Sequence, residues 1–289
     1  MKVYMFHYVL DKFNYYHFDV FEFEKFVAKI SKQNNVVGLT ELKKIIEYNL
    51  SDEDCIMLTF DDGTKDHYKF VYPILKKYQV KGVFFLTSSI FFNKMLDIHK
   101  IHSLLSVVGT EKLYTDIQNF TGVYDYKIDE KKLITTNLDD DKMRYIKQIL
   151  QFVLPENIRK DILAELVKKY NINKECKNYY MSYEEIIEMK QNGMDFGLHT
   201  ETHQRLEILT KSEQEKEIIQ NFEILREKKV LSEVKAIAYP FGSYNKDTID
   251  ILQRNSIDLG FSIDKTIGIN NRLEINRVDS RELKKEGIV

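Results

Sequence analysis

The sequence predicts an α/β protein built on a parallel sheet or barrel. Short runs of apolar and β-branched residues alternate with longer amphipathic stretches. The short runs are almost continuously apolar, as strands buried on both faces must be. With 289 residues, 43% hydrophobic and 30% charged, the chain has the composition of a globular protein and the length of one large domain or two ordinary ones.

Strands are expected at Val3 to His7, Val36 to Leu39, Ile56 to Phe60, Gly82 to Thr87, Met194 to Leu198, Lys235 to Tyr239, Asp258 to Ile263 and Glu274 to Val278. Between the first two, Phe23, Phe26, Val27 and Ile30 recur at three- and four-residue spacing and give a helix one apolar face. Further helices are expected over about Lys65 to Tyr78, Ser182 to Asn192, Lys211 to Lys229 and Asn245 to Arg254. From about Phe91 to Asn178 the strand–helix rhythm stops. That segment, which includes the acidic run Leu138 to Asp141, reads as several helices inserted between two sheet strands of one domain spanning residues 1–289. Only Pro73, Pro155 and Pro240 occur, so no proline-rich linker marks a boundary.

Composition excludes several classes. The 43 Lys and Arg balance 45 Asp and Glu, a net charge of −2. That argues against a nucleic-acid-binding protein, which needs a basic excess to displace counterions from phosphates. Cys55 and Cys176 are far apart and form no CxxC pair, so neither a disulfide framework nor a cysteine zinc site is indicated. No run approaches the roughly 18 apolar residues of a membrane span. The opening MKVYMFHYVLDKF lacks a signal-peptide core, so a cytoplasmic location is expected.

Three clusters follow predicted strands, where α/β folds gather their chemistry. In Thr59-Phe60-Asp61-Asp62-Gly63, consecutive carboxylates point in different directions, so one can bind a cation while the other faces a substrate; a turn or helix cap would use the same residues. In His199-Thr200-Glu201-Thr202-His203, two histidines four apart can share the face of a helical turn and bind one metal. The glutamate is third in that motif, so it is not the zincin HExxH arrangement. Together the two clusters supply the two-histidine, one-carboxylate donor set of a catalytic divalent metal. In Tyr239-Pro240-Phe241-Gly242, the turn either aims a backbone N–H at an oxyanion or simply reverses the chain around an aromatic.

TFDDG at 59–63, HTETH at 199–203 and YPFG at 239–242 resemble the first three motifs of the polysaccharide deacetylase (NodB-homology, carbohydrate esterase family four) proteins, in the family's order. The resemblance implies a distorted (β/α) barrel with a helical insertion. It implies Asp61 as the general base that deprotonates the attacking water. Asp62, His199 and His203 would be ligands of one divalent ion, with zinc first and nickel, cobalt, manganese or iron as alternatives, and the Phe241 N–H an oxyanion donor. Tyr239, Pro240 and Tyr183 are the candidate substrate contacts. The sequence departs from the family twice. Ala238 stands where many members carry the arginine that orients the base, which leaves Arg277 as a candidate replacement against the alternative of a surface salt bridge. No Leu-x-His motif follows His203. Tyr4 to Tyr8 resembles the early strand of the circularly permuted poly-N-acetylglucosamine deacetylase branch, which implies His7 as the general acid rather than a core residue. His67, Tyr183, His99 and His102 are weaker candidates. The implied activity is removal of an N-acetyl group from an amino sugar, and the expected cytoplasmic location points to a nucleotide- or lipid-linked sugar in surface-glycan assembly rather than finished wall polymer. A deacylase of another amide or of an O-acetyl ester, and a non-catalytic glycan binder that kept the metal site, are the competing readings.

Overall fold

A computed structural model of the chain describes residues 1–11, 17–123, 140–172, 178–263 and 271–285. Cys176 and the first half of the Leu138 to Asp141 run lie outside them. The chain divides into two compact units, one formed by Met1–Phe92 with Asn178–Val289, the other by Asn93–Lys177.

The first unit is the strand–helix body. Its strands and helices begin with β1 (Lys2–Phe6), β2 (Tyr8–Leu10), β3 (His17–Asp19), α1 (Val20–Gln33), β4 (Asn35–Val36), α2 (Leu39–Tyr48), β5 (Cys55–Asp61), α3 (Tyr72–Lys77) and β6 (Val83–Leu86). The second unit contributes α4 (Asp97–Val108), α5 (Thr110–Val123), α6 (Asp141–Gln148) and α7 (Glu156–Lys169). The first unit resumes with α8 (Tyr183–Gln191), β7 (Asp195–Leu198), α9 (Lys211–Glu227), β8 (Ala236–Ala238), α10 (Lys246–Arg254), β9 (Leu259–Ser262), β10 (Ile275–Asn276), β11 (Val278–Asp279) and α11 (Ser280–Lys285). In the second unit Ile101, Leu104, Leu105, Ile162, Leu163 and Leu166 are buried where α4 meets α7, and α5 packs on α6.

The main sheet runs β10-β9-β8-β7-β6-β5-β1-β11, with β4 added beside the start of β5, and its pairings are parallel. The two edge strands are consecutive in the chain. Residues 275–279 form one extended stretch that pairs with β9 through Ile275 and Asn276 and with β1 through Val278 and Asp279. It switches partners at Arg277, whose backbone N–H donates to Ser262 O. This stretch nearly closes the sheet into a (β/α) barrel, as expected, but the single strand expected over Glu274 to Val278 is broken at its centre.

Register explains the packing. Phe6, Phe60, Phe84 and Phe196 are direct partners across β1, β5, β6 and β7, and their rings stack in a row at 5.4, 4.8 and 5.5 Å. Phe23 of α1 meets Phe6 and Phe60 edge-on, and Phe26, Val27 and Ile30 are buried with it, as their spacing predicts. Each aromatic pair adds about 0.5–1.5 kcal/mol beyond its buried area. Because side chains alternate along a strand, the residues beside this row face the other way. Met57, Phe85, Ala236, Ala238 and Phe261 form a separate cluster there, and Asp61 shares that side.

Local chemistry sets where these elements begin and end. Asp19 caps α1 and pairs with Glu22 in a reciprocal box, and Ser182 and Thr210 begin α8 and α9 in the same way. The strand expected over Val36 to Leu39 is only two residues long, because Gly38 starts α2 at Leu39. The helix expected from Lys65 starts there and passes through a π-helical turn, His67–Val71, before α3.

Gly197 lies where strands approach too closely for a side chain. A Cβ there would fall 2.7 Å from the Phe85 ring and 2.8 Å from Ala236 O. Gly197→Ala is expected to destabilise the protein by about 1–3 kcal/mol through overpacking. Urea denaturation would show this as a lower midpoint at unchanged slope.

Candidate functional site

The site is assembled from strand ends. Asp61 ends β5, and Asp62 follows in a left-handed conformation, φ 77°. That reversal turns the two carboxylates in different directions. Thr200 (φ 62°), His203 (φ 61°) and Phe241 (φ 59°) share this backbone region. Non-glycine residues enter it only where surrounding structure compels them, and here four do so around one cluster.

Asp62 Oδ1 lies 3.4 Å from His199 Nε2 and 3.3 Å from His203 Nε2. One ligand atom from each residue falls within 4.8 Å of the others. His199 Nδ1 lies 2.8 Å from Ala238 O; a carbonyl only accepts, so Nδ1 carries a proton and Nε2 is the nitrogen that faces Asp62. Nε2 is buried, with Asp62 Oδ1 as its neighbour. An imidazole fixed by a carbonyl at one nitrogen and open at the other is the arrangement metal-binding histidines use. The donor set therefore fits a divalent cation. The two histidines sit not on a helical turn, as their spacing suggested, but on an irregular loop after β7.

That loop is clamped by α9. Glu217 accepts from Thr202 N–H (2.8 Å) and Thr202 Oγ1 (2.5 Å), and its own carbonyl accepts from Glu201 N–H. Asn221 Oδ1 accepts from His199 N–H, while its Nδ2 donates to Leu86 O. Burial is the main cause that raises the Glu217 carboxyl above its usual value. These residues escape a reading of motifs, but a signal exists. Gln214 and Asn221 occupy the buried stripe of α9 with Ile218 and Leu225, and a polar residue on an apolar stripe marks a specific partner.

Asp61 belongs to a second arrangement. Arg277 Nη1 donates to Asp61 Oδ1 and Nη2 to Oδ2, both at 2.8 Å. Nη1 also reaches Thr59 Oγ1, whose hydroxyl donates to Tyr4 O. Asp61 is 1% and Arg277 2% exposed, so this is a buried bidentate pair and not a surface salt bridge. Burial alone would raise the Asp61 carboxyl, but the guanidinium, helped by His199, holds it below the ordinary carboxylate value. His199 is in turn lowered by burial and raised more strongly by Asp61 and Asp62.

His7 follows β1 and is half-buried. Burial lowers its pKa, opposed by the charges of Asp62, Asp61 and Asp279. Asp279 is gripped by Arg281 through Nε and Nη2, so a second Asp–Arg pair lies within electrostatic reach of His7. Sequence reasoning missed both members. The signal was Arg277-Val278-Asp279, in which alternation puts two charged side chains on one face of a strand.

The remaining candidates separate. Phe241 meets the His203 ring edge-on at 4.7 Å, which sets its side chain against the cluster. Pro240 is buried in the same turn. Tyr239 is fully buried, stacks on Tyr244 and donates to Leu273 O, so its side chain is a core element. Tyr183 starts α8, donates to Lys228 O and lies beneath Lys228 Nζ; its contacts are with that residue and not with the cluster. His99 is buried in the helical unit beside His102.

The polysaccharide deacetylase family model matches residues 49–106 and 128–260, and the chain belongs to that family. Among solved structures it is similar to the Streptococcus pyogenes deacetylase PplD in complex with acetate (TM-score 0.62, 20% identity, 96% of this chain and 91% of that one). It is also similar to IcaB from Ammonifex degensii (0.60, 18%, 99% and 94%) and to a de-N-acetylase from Aggregatibacter actinomycetemcomitans (0.58, 16%, 96% and 93%). At these identities the likeness establishes the fold. YxkH of Bacillus subtilis is 50% identical over 34 residues, a stretch that spans 12% of either chain. No helix among the described residues is long and apolar enough to cross a membrane.

Arg277→Met is expected to cost about 3–5 kcal/mol near neutral pH, because it strands a buried carboxylate. In the wild type the lowered folded pKa contributes stability above the unfolded value of about 3.9, lost as pH falls through the folded value. In the variant, burial without the guanidinium raises Asp61, so the deficit should grow as pH rises from acid to neutral. Urea unfolding of chelator-treated protein across that range measures it; a deficit independent of pH would mean that Arg277 acts by packing alone.

Proposed function

We propose that this protein is a metal-dependent hydrolase that removes the acetyl group from the nitrogen of an acetamido sugar, in a glycan or in a nucleotide- or lipid-linked precursor of a surface glycan. One observation carries the reading: two consecutive carboxylates in different roles, Asp61 held ionised by Arg277 and Asp62 facing two imidazole nitrogens.

Asp62, His199 and His203 would hold the cation. When bound, such an ion polarises the acetyl carbonyl and makes a water more acidic; zinc suits this donor set, and nickel, cobalt, manganese and iron accept it. Asp61 takes the proton from water as the new oxygen–carbon bond forms. The Phe241 N–H donates to the carbonyl oxygen as that atom gains charge. His7 gives a proton to the sugar nitrogen as the carbon–nitrogen bond breaks, and acetate and the free amine leave. The bidentate hold of Arg277 on Asp61 favours an enzyme over a glycan-binding protein, because binding alone has no use for an oriented, ionised base.

Wild-type protein dialysed without chelator should carry about one divalent metal per chain, lost in His199→Ala. The loaded enzyme should release acetate from N-acetylglucosamine oligomers, and Asp61→Asn should lower kcat/KM by about 10²–10⁴. Metal-loaded wild type that releases acetate from no acetamido sugar would overturn the proposal. Asp279 raises the His7 pKa. Asp279→Asn removes that charge, so the alkaline limb of the kcat/KM profile should move to lower pH; an unmoved limb would break the link between Asp279 and the acid.

A further inference from the structure

The segment that follows Asp62 also reaches back to the chain at His7. His67 Nε2 lies 2.7 Å from His7 O, and Thr64 Oγ1 donates to the same carbonyl at 3.4 Å. Asp66 Oδ2 accepts from Val9 N–H at 2.7 Å. Three side chains within four residues therefore hold the backbone on both sides of Tyr8. On its other side the same segment is joined to residues 179–181, through Lys65 N–H to Tyr179 O and Met181 N–H to Gly63 O.

His67 is the informative member. It is fully buried, edge-on to Phe60 and tilted against Phe84, both at 5.7 Å. A carbonyl only accepts, so Nε2 carries the ring proton. Nδ1 is buried and has no hydrogen-bond partner among the described residues, which costs stability that a phenylalanine in the same aromatic surroundings would not. What the imidazole supplies in exchange is its single bond to His7 O. His67 is also the first residue of a π-helical turn, His67–Val71, a local irregularity frequently found at functional sites.

We infer that His67 is a positioning residue for His7: through Nε2–H to the His7 carbonyl, with Thr64 and Asp66 beside it, it fixes the backbone that aims the His7 side chain and ties that aim to the turn that carries Asp62. The inference rests on His7 as the general acid. It predicts a defect confined to substrates whose leaving group needs a proton. An amide nitrogen does, whereas the nitrophenolate of 4-nitrophenyl acetate departs without one.

The test compares wild type, His67→Phe and His67→Gln, each metal-loaded, on an N-acetylglucosamine oligomer and on 4-nitrophenyl acetate. His67→Phe should lose about 10- to 100-fold in kcat on the amide, the scale of a misplaced catalytic group, and less than about two-fold on the ester, with metal content unchanged. Gln, whose amide nitrogen can stand near Nε2, should restore most of the amide activity. Equal losses on both substrates, or no loss on either, would overturn the inference. A wild type that cleaves the ester but no acetamido sugar would instead overturn the proposed function. Should His67→Phe fail to fold, ¹⁵N NMR of the wild type decides: a proton on Nε2 supports the bond, and a proton on Nδ1 refutes it.

Discussion

Asp61 and Arg277 are opposite charges placed where neither could stand alone. An unpaired carboxylate inside the barrel would take up a proton and stop being a base, and an unpaired guanidinium would not be tolerated. The pair therefore dictates where the last part of the sheet goes. Residues 275–279 must cross from β9 to β1 with Arg277 at the crossing, and the break in that strand frees the side chain to reach Asp61. Closure of the barrel and pairing of the Asp61 carboxylate are one event.

Around that pair, rigid neighbours stand in for residues that are individually strained. Asp62, Thr200, His203 and Phe241 all have left-handed backbones, each unfavourable in isolation. The row of four phenylalanines locks the register of β1, β5, β6 and β7, and so sets where His7, Asp61 and the His199 loop begin. Glu217 and Asn221 then hold the loop by its backbone rather than by its histidines. The imidazoles are left to face Asp62.

Much of this was legible in the sequence because it depends on near neighbours. The period of Phe23, Phe26, Val27 and Ile30 revealed α1, and the apolar runs revealed the central strands. TFDDG, HTETH and YPFG named the residues that the fold brings together at strand ends. What was not legible depends on distance or on backbone conformation. Nothing local says that Arg277 will meet a residue 216 positions earlier, and Ala238, at the place where the family usually keeps its arginine, gave only the negative half of that information. Two histidines four apart look helical until Thr200 and His203 turn left-handed. Tyr239 looked like a substrate contact because it sits in a motif, yet its ring fills the core.

The crossing at Arg277 also bears on how the chain is made. Synthesis runs from the amino end at about 5–20 residues per second, so Asp61 leaves the ribosome long before its counter-ion. Until then β1 and β9 both present open edges, and the carboxylate has only water or a proton to satisfy it. The strands can pair and the helices can pack during this interval, but the ionised Asp61 carboxylate can become a permanent interior group only when residues 275–279 arrive. A ribosome stalled short of residue 277 would therefore hold a protein with Asp62, His199 and His203 already synthesised and Asp61 still without its counter-ion.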